Sequence, residues 1–372
     1  MNILHICTSY CWTEVYAILI RALNKKGLHQ TVYVPLRNRA DIGKKRVEDP
    51  MVHYEYSYML KPVMRLLYFH KIKSMYKDVV ARINMKEISL VHAHFLFTDG
   101  GTAYYLKKHH GIKYVTAVRN TDVNAYFRYF IHARRFAVKI MQEAEAVVFI
   151  SPAYRTYVLE NYVPAHARKA ISEKAVVIPN SIDNFWLANQ PAEGRTIKDD
   201  VIKFIFVGEL SKNKNVHKTI NIVKKLNERR KATLIIIGKK SDYAEEILKL
   251  VAENKEIVQY IEPIYDKEKL LAYYRKVDIF IMPSQFETFG LAYVEAMSQG
   301  IPSLFSKGQG IDGFFIDGEV GYGIDADNVE DALEKIDAII RNYEQMSVNC
   351  IANAKGFAPD IIVDRVLRMY GN

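Results

Sequence analysis

Two carboxylates, Glu287 and Glu295, stand eight positions apart across what reads as the start of a helix, with Gly290 between them. The apolar run 277–282 has the composition of a buried strand, Pro283 and Ser284 end it, and residues 290–299 have helical spacing closed by Gly300 and Pro302. The loop 284–289 is therefore expected at the carboxyl end of a strand, where open α/β sheets bind their ligands. The backbone amides of Gly290 and Leu291 would face that crevice with the positive end of the helix dipole, a setting that suits a phosphate. Glu295, one to two turns into the helix, is placed to accept hydrogen bonds from both hydroxyls of a ribose, and Glu287 to reach a sugar beyond the phosphates. Together these residues read as a nucleotide-sugar site. Taken singly, each has a plainer alternative, a solvated helix face for Glu295 and a loop carboxylate for Glu287.

The elements that must hold these groups alternate along the whole chain of 372 residues. Strands are expected at 2–6, 30–34, 89–93, 113–118, 146–150 and 175–178, with helical patterns between most of them. A polar stretch with Pro191 and Gly194, residues 189–200, reads as an interdomain linker. A second series follows at 202–207, 233–237, 258–261, 277–282 and 302–305. With 49% hydrophobic residues the chain can bury two cores, so two doubly wound α/β domains are expected. The second opens with Gly208, Glu209, Lys212 and Lys214 between a strand and a helical run, where a basic residue reaches a diphosphate.

The segment Glu287-Thr-Phe-Gly290-Leu, with Asp278-Ile-Phe-Ile-Met-Pro-Ser before it, resembles the paired-glutamate motif of the retaining GT-B glycosyltransferases of family 4, the type that builds bacterial surface polysaccharides. The resemblance covers nearly the whole chain and is strongest from residue 204 to 323. It implies two Rossmann-like domains facing across a cleft: an acceptor-side domain at 1–195, onto which a carboxyl-terminal helix at 358–372 packs back, and a nucleotide-sugar domain at 196–357. It further implies transfer with retained anomeric configuration from a UDP- or GDP-linked sugar to a polysaccharide or lipid-linked oligosaccharide. A catalytically silent homologue that binds nucleotide sugars as a partner subunit is the alternative. A dinucleotide oxidoreductase is disfavoured, because no Gly-x-Gly-x-x-Gly follows either domain's first strand.

Carried over residue by residue, the family pattern assigns donor contacts to Gly208, Lys214, Phe289, Gly290, Leu291 and Glu295, and catalytic roles to Glu287, Lys214 and Arg119. Two departures matter. Glu209 stands where the family carries an arginine, so Lys214, helped by Lys212, must supply more of the positive field. Arg119 stands where many relatives place a histidine, and is expected to hold the donor or an anionic acceptor, or else to pair with Asp122. His94, Asp122, Lys307 and Gly308 are further pocket candidates, the last two from the glycine-rich loop 306–313. Asn180 and Asp183 read as turn formers and Asp325-Ala-Asp327 as helix capping. His92 and His94 fall on one side of a strand, but spacing supplies no third ligand, so packed or pocket-lining histidines are expected, with no metal and no other cofactor beyond the nucleotide sugar.

Charge is unevenly spread. Residues 1–195 hold 28 Lys and Arg against 15 Asp and Glu, and residues 196–372 hold 24 against 27. Much of the excess lies in 61–86, where Lys61, Arg65, Lys71, Lys73, Lys77, Arg82 and Lys86 interleave with Val63, Leu66, Leu67, Ile72, Met75, Val79 and Ile83. The pattern fits a basic amphipathic helix, either packed with a solvated basic face or lying on an anionic membrane surface. A second basic-aromatic stretch spans 127–136. Nucleic acid is not expected, since no recognised nucleic-acid module accompanies the charge. The first strand begins at once without the regions of a signal peptide, no apolar run reaches spanning length, and Cys7, Cys11 and Cys350 follow no disulfide or zinc spacing. A cytoplasmic protein is expected, peripheral on the inner face of the membrane if the basic segment docks there.

Overall fold

The computed structural model describes residues 1–65 and 67–371. Leu66, one of the apolar residues of the basic segment, and Asn372, the last of the expected carboxyl-terminal helix, lie outside the described residues. The chain divides into two compact units, one of Met1–Ile150, Tyr154–Ser181 and Pro359–Asn372, the other of Ser151–Ala153 and Ile182–Ala358.

The first unit is a seven-stranded parallel sheet of β1 (Asn2–Ile6), β2 (His29–Pro35), β3 (Val52–Ser57), β4 (Leu90–Ala93), β5 (Tyr114–Val118), β6 (Ala146–Phe149) and β7 (Ala175–Val177), in the order β3-β2-β1-β4-β5-β6-β7. Strands such as Tyr114–Val118 and Ala146–Phe149 are buried at every position, as parallel strands covered on both faces require. The last helix, Pro359–Tyr370, belongs to this unit: Ile362, Val363 and Val366 pack in one cluster with Ile3, Leu23, Leu90, Ala117, Val148 and Ile178.

The second unit is a six-stranded parallel sheet of β8 (Ile202–Val207), β9 (Ala232–Ile237), β10 (Val258–Ile261), β11 (Ile279–Met282), β12 (Ser303–Ser306) and β13 (Gly321–Ile324), in the order β10-β9-β8-β11-β12-β13. Residues 182–195, which composition placed before the break, lie in this unit because Trp186 is buried edge-on against Tyr274 and its carbonyl accepts from Gln299 Nε2 at 3.1 Å. Both sheets are doubly wound. The chain leaves the central strand one way, through β2 and β3 or β9 and β10, then returns to its other side at β4 or β11. The switch points lie between β1 and β4 and between β8 and β11, the positions outside which such sheets bind ligands.

Two edge strands are absent from the sequence reading. β3 alternates apolar with polar residues, His53 and Glu55 among them, and pairs on one side only. β13 holds two glycines in four residues, a composition that carries no strand signal. The basic segment is also corrected. Ile72, Met75, Val79 and Ile83 are buried and Lys73, Lys77 and Arg82 exposed around the helix Tyr68–Arg82. Lys71 is not on the solvated face but buried, its Nζ 3.3 Å from Tyr126 Oη. Val63 and Leu67 precede the helix and are exposed rather than core-facing. All three cysteines are free and buried, and no helix among the described residues is long and apolar enough to cross a membrane.

Candidate active site

The loops that follow β8 and β11 flank the second sheet's switch point, and the chain ties them together there. Asn213 is the clasp: its carbonyl accepts from Gln285 N at 2.7 Å, its Oδ1 from Phe286 N at 3.1 Å, and its Nδ2 donates to the Phe286 carbonyl at 3.0 Å. Asn215 follows in the left-handed region at φ 51°, which asparagine tolerates better than most residues, and its Nδ2 donates to the Pro283 carbonyl at 2.8 Å. The short turn Lys212–Lys214, which contains Asn213, delivers the Lys214 ammonium to Glu287, Nζ to Oε2 2.5 Å.

Glu287 is the better-held partner. Its Oε1 accepts from Thr288 N at 3.0 Å and Phe289 N at 3.4 Å, and its backbone is fixed by Gln309 and Gly310 from the loop after β12. Both side chains are mostly shielded, with 20% of Lys214 and 11% of Glu287 exposed, so the pair is only weakly screened by water. A charge-assisted hydrogen bond of this kind contributes about 1.5–3 kcal/mol.

The helix Leu291–Ser298 starts just beyond. Gly290 caps it at φ +78°, with no side-chain acceptor on the first amides. A Cβ at Gly290 would meet the Tyr293 ring at 2.4 Å, so glycine is required by both conformation and space. Phe289 is buried against Phe314 and Phe357; its ring anchors the loop, leaving only its backbone to face a ligand. Gly208 closes β8 where an added Cβ would crowd the Phe206 ring and Met282 Sδ at 3.2 and 3.3 Å.

Glu295 has different neighbours. Burial raises its carboxyl to about 7, opposed by the Lys267 charge and a hydrogen bond with Trp186. Lys267 in turn pairs with Asp183, Nζ to Oδ2 2.6 Å. The two glutamates that spacing joined are thus served by two sets of groups: Lys214 and the loop amides for Glu287, Trp186 and Lys267 for Glu295. Sequence reasoning missed Trp186 and Lys267, because nothing local to them marks a site; Asn213 and Gln309 lie inside loops it singled out, but what their side chains hold could not be read there.

The remaining candidates disperse. Glu209 is exposed beside Gly208. Lys307 lies 3.4 Å from Asp331 and lines an open depression of about 460 Å³ with Lys212, Lys218, Ser284, Asp325 and Asp327. Gly308 N donates to Asp312 Oδ2 at 2.5 Å. Helix capping falls to Asn328, whose side chain accepts from Asp331 N, not to Asp325 or Asp327.

In the first unit, the Arg119 guanidinium donates to Asn180 Oδ1 at 2.6 Å and lies over the Tyr16 ring, 5.6 Å from its centroid. Asn180, read as a turn former, is therefore its hydrogen-bond partner. In place of the Arg119–Asp122 salt bridge that the sequence left as an alternative there is a backbone clamp: the Asp122 carboxylate accepts from the amides of Leu96, Phe97 and Arg119 at 2.9–3.1 Å. Burial raises Asp122 to about 6, against those three amides. His94 is buried beside His5 and His92. His5, which spacing along the sequence did not supply, is the third imidazole of this group, brought there by the pairing of β1 with β4.

Comparison with known proteins agrees with this architecture. Residues 14–184 match the family described as Glycosyltransferase Family 4, and residues 191–357 match Glycosyl transferases group 1. An uncharacterized glycosyltransferase of Methanocaldococcus jannaschii is 25% identical over 264 residues, 70% of this chain and 68% of its own length. Matches to other curated relatives are shorter, 38% and 30% of their lengths in two further cases. Among solved structures, Anabaena HepE in complex with UDP superposes with a TM-score of 0.73 at 16% identity, covering 100% of both chains. The lipopolysaccharide outer core galactosyltransferase WaaB superposes with 0.73 at 15%, covering 100% of this chain and 99% of that one. With two glycosyltransferase domains in tandem on two doubly wound sheets, the chain belongs to the family 4-like glycosyltransferases of the GT-B fold.

Proposed function

We propose that this chain transfers a hexosyl-type sugar from a UDP- or GDP-linked donor to a glycan or lipid-linked acceptor, with retention of anomeric configuration, in the synthesis of a cell-surface polysaccharide. The observation that carries the reading is the Lys214–Glu287 pair at the second sheet's switch point, next to an uncapped helix start. On donor binding, Lys214 and the amides of Gly290 and Leu291 face the diphosphate. Glu287 takes hydroxyls of the transferred sugar, and Glu295 takes those of the ribose. The bond from the anomeric carbon to the diphosphate oxygen breaks, a bond from the acceptor oxygen forms on the same face, and the acceptor proton passes to the departing phosphate. Charge developing on that phosphate is met by fixed groups of the protein, with no metal ion assigned to the step. Arg119, whose guanidinium hydrogen-bonds to no carboxylate among the described residues, is assigned to an anionic group of the acceptor.

Names of similar structures support the substrate class: HepE binds UDP, and WaaB is a galactosyltransferase of the lipopolysaccharide outer core. The exposed Lys73, Lys77 and Arg82, with Val63, Leu67 and Phe69 also exposed, support docking of the first unit on an anionic membrane surface from the cytoplasmic side. The test is diphosphate release from a panel of UDP- and GDP-sugars with lipid extract as acceptor, the anomeric configuration of the product being read by NMR. Nucleotide release that is unchanged in Lys214→Ala and Glu287→Gln would refute the assignment.

A further inference from the structure

Three histidines meet inside the first unit. His5 on β1 and His92 on β4 are partners across the ladder, and His94 lies two residues on, so strand alternation keeps it on the same side as His92. The His92 and His94 rings stack with centroids 4.2 Å apart, and His5 lies 5.5 and 5.3 Å from them. His5 Nδ1 and His94 Nε2 are 3.0 Å apart, and one ring nitrogen from each of the three residues falls within 4.8 Å of the others. All three side chains are buried.

Six ring nitrogens share few partners. His92 Nδ1 meets Tyr370 Oη at 2.5 Å, and the His5–His94 contact uses one proton for two nitrogens. Among the described residues neither His94 Nδ1 nor His5 Nε2 has a hydrogen-bond partner, although the Gln30 side chain stands by His5. Buried polar atoms left in this state are uncommon in folded proteins.

We propose that His5, His92 and His94 form a binding site for a borderline divalent transition ion, of the class of Zn²⁺ or Co²⁺, which ties β1 to β4 at the centre of the first unit's sheet. Neutral imidazoles suit that class of ion. Metal–nitrogen bonds of about 2.0–2.1 Å set the ligand atoms of a tetrahedral site roughly 3.3 Å apart, close to the His5–His94 spacing, and rotation of the rings closes the third position. Tyr370 holds Nδ1 of His92 and so presents its Nε2, the arrangement in which an outer partner orients a ligand. A cavity of about 30 Å³ beside His92, also lined by Arg119, Asn180 and Ser181, has room for a water as fourth ligand. Arg119 lines the same cavity as His92, so its positive charge opposes an ion there. The site shares no residue with the Lys214–Glu287 pair, so its success or failure leaves the transferase reading to its own test.

The experiment uses untagged full-length protein, freed of metal by chelator dialysis and titrated with Co²⁺ alone. One equivalent should bind, with the visible absorption of a four-coordinate cobalt centre, and raise the thermal midpoint. His94→Ala should lose the band and at least tenfold in affinity while keeping its thermal response to UDP. Arg119→Gln should bind Co²⁺ several-fold more tightly. Should His94→Ala fail to fold, Tyr370→Phe keeps all three ligands and should still weaken Co²⁺ binding. Absence of a stoichiometric cobalt band in folded wild type, or affinity unchanged in both His94→Ala and Tyr370→Phe, overturns the proposal.

Discussion

The two sheets put opposite chemistry at the same topological place. At the β8/β11 switch point the strand-end loops carry a partly exposed ion pair, Lys214 and Glu287, and a helix start whose amides have no side-chain cap. At the β1/β4 switch point the groups are buried and held neutral: His5, His92 and His94, and Asp99, whose carboxyl burial raises to about 8 against hydrogen bonds from Thr8 N and Thr98 Oγ1. The lesson is that doubly wound topology fixes where a ligand can sit, while burial and loop sequence decide whether that place is charged. A charged, accessible switch point suits a diphosphate; a neutral, closed one suits packing or an ion held by lone pairs.

Breaking the charged side should have the largest effect. Lys214→Ala removes one charge-assisted contact, of about 1.5–3 kcal/mol, and is expected to lower kcat/KM for the nucleotide sugar roughly 10- to 150-fold. Glu287→Gln added to it should cost less than it does alone, because the two act as a pair, and a double-mutant cycle of steady-state rates measures that coupling. An equal loss in Asp99→Asn would erase the contrast.

Next comes the loop geometry. Gly290→Ala combines a positive φ with a 2.4 Å approach to Tyr293 and should destabilise the protein by about 1–3 kcal/mol, read in urea unfolding. Gly308→Ala shares the positive φ but meets nothing within 4 Å, so its cost should stay near 1 kcal/mol.

Titration sharpens the comparison further. In the proposed role Glu295, raised to about 7, accepts both ribose hydroxyls only when ionised, so UDP affinity should rise as pH climbs from 6 to 8, and calorimetry on Glu295→Gln should show that slope flattened. Asp99 bears on stability rather than on turnover. Its folded carboxyl titrates near 8 against an ordinary 3.8, so the stability it confers is present at low pH and lost as pH rises from about 4 through 8. Asp99→Asn should remove that part of the decline, seen as a shallower fall of the thermal midpoint with pH.

Much of the fold was legible because parallel strands buried on both faces announce themselves as short apolar runs. The strands at Ile202–Val207 and Val258–Ile261 were read to the residue, while β3 and β13, half-polar or glycine-rich edges, were not. The helix start at Gly290 was equally legible, since only a local break, a glycine and a following apolar period are needed to mark it. The chain's own order of residues thus determined which segments form strands and helices, where the glutamates fall relative to a helix end, and how unevenly charge is spread. Tertiary structure decided which side chains meet. Lys214 reaches Glu287 across 73 positions, Glu295 finds Trp186 and Lys267, Arg119 turns to Asn180, and His5 joins His92 and His94. Local sequence sets the backbone's periodicity through neighbouring residues, but the partner of a long side chain depends on strand order, and that is fixed only when the whole sheet is assembled.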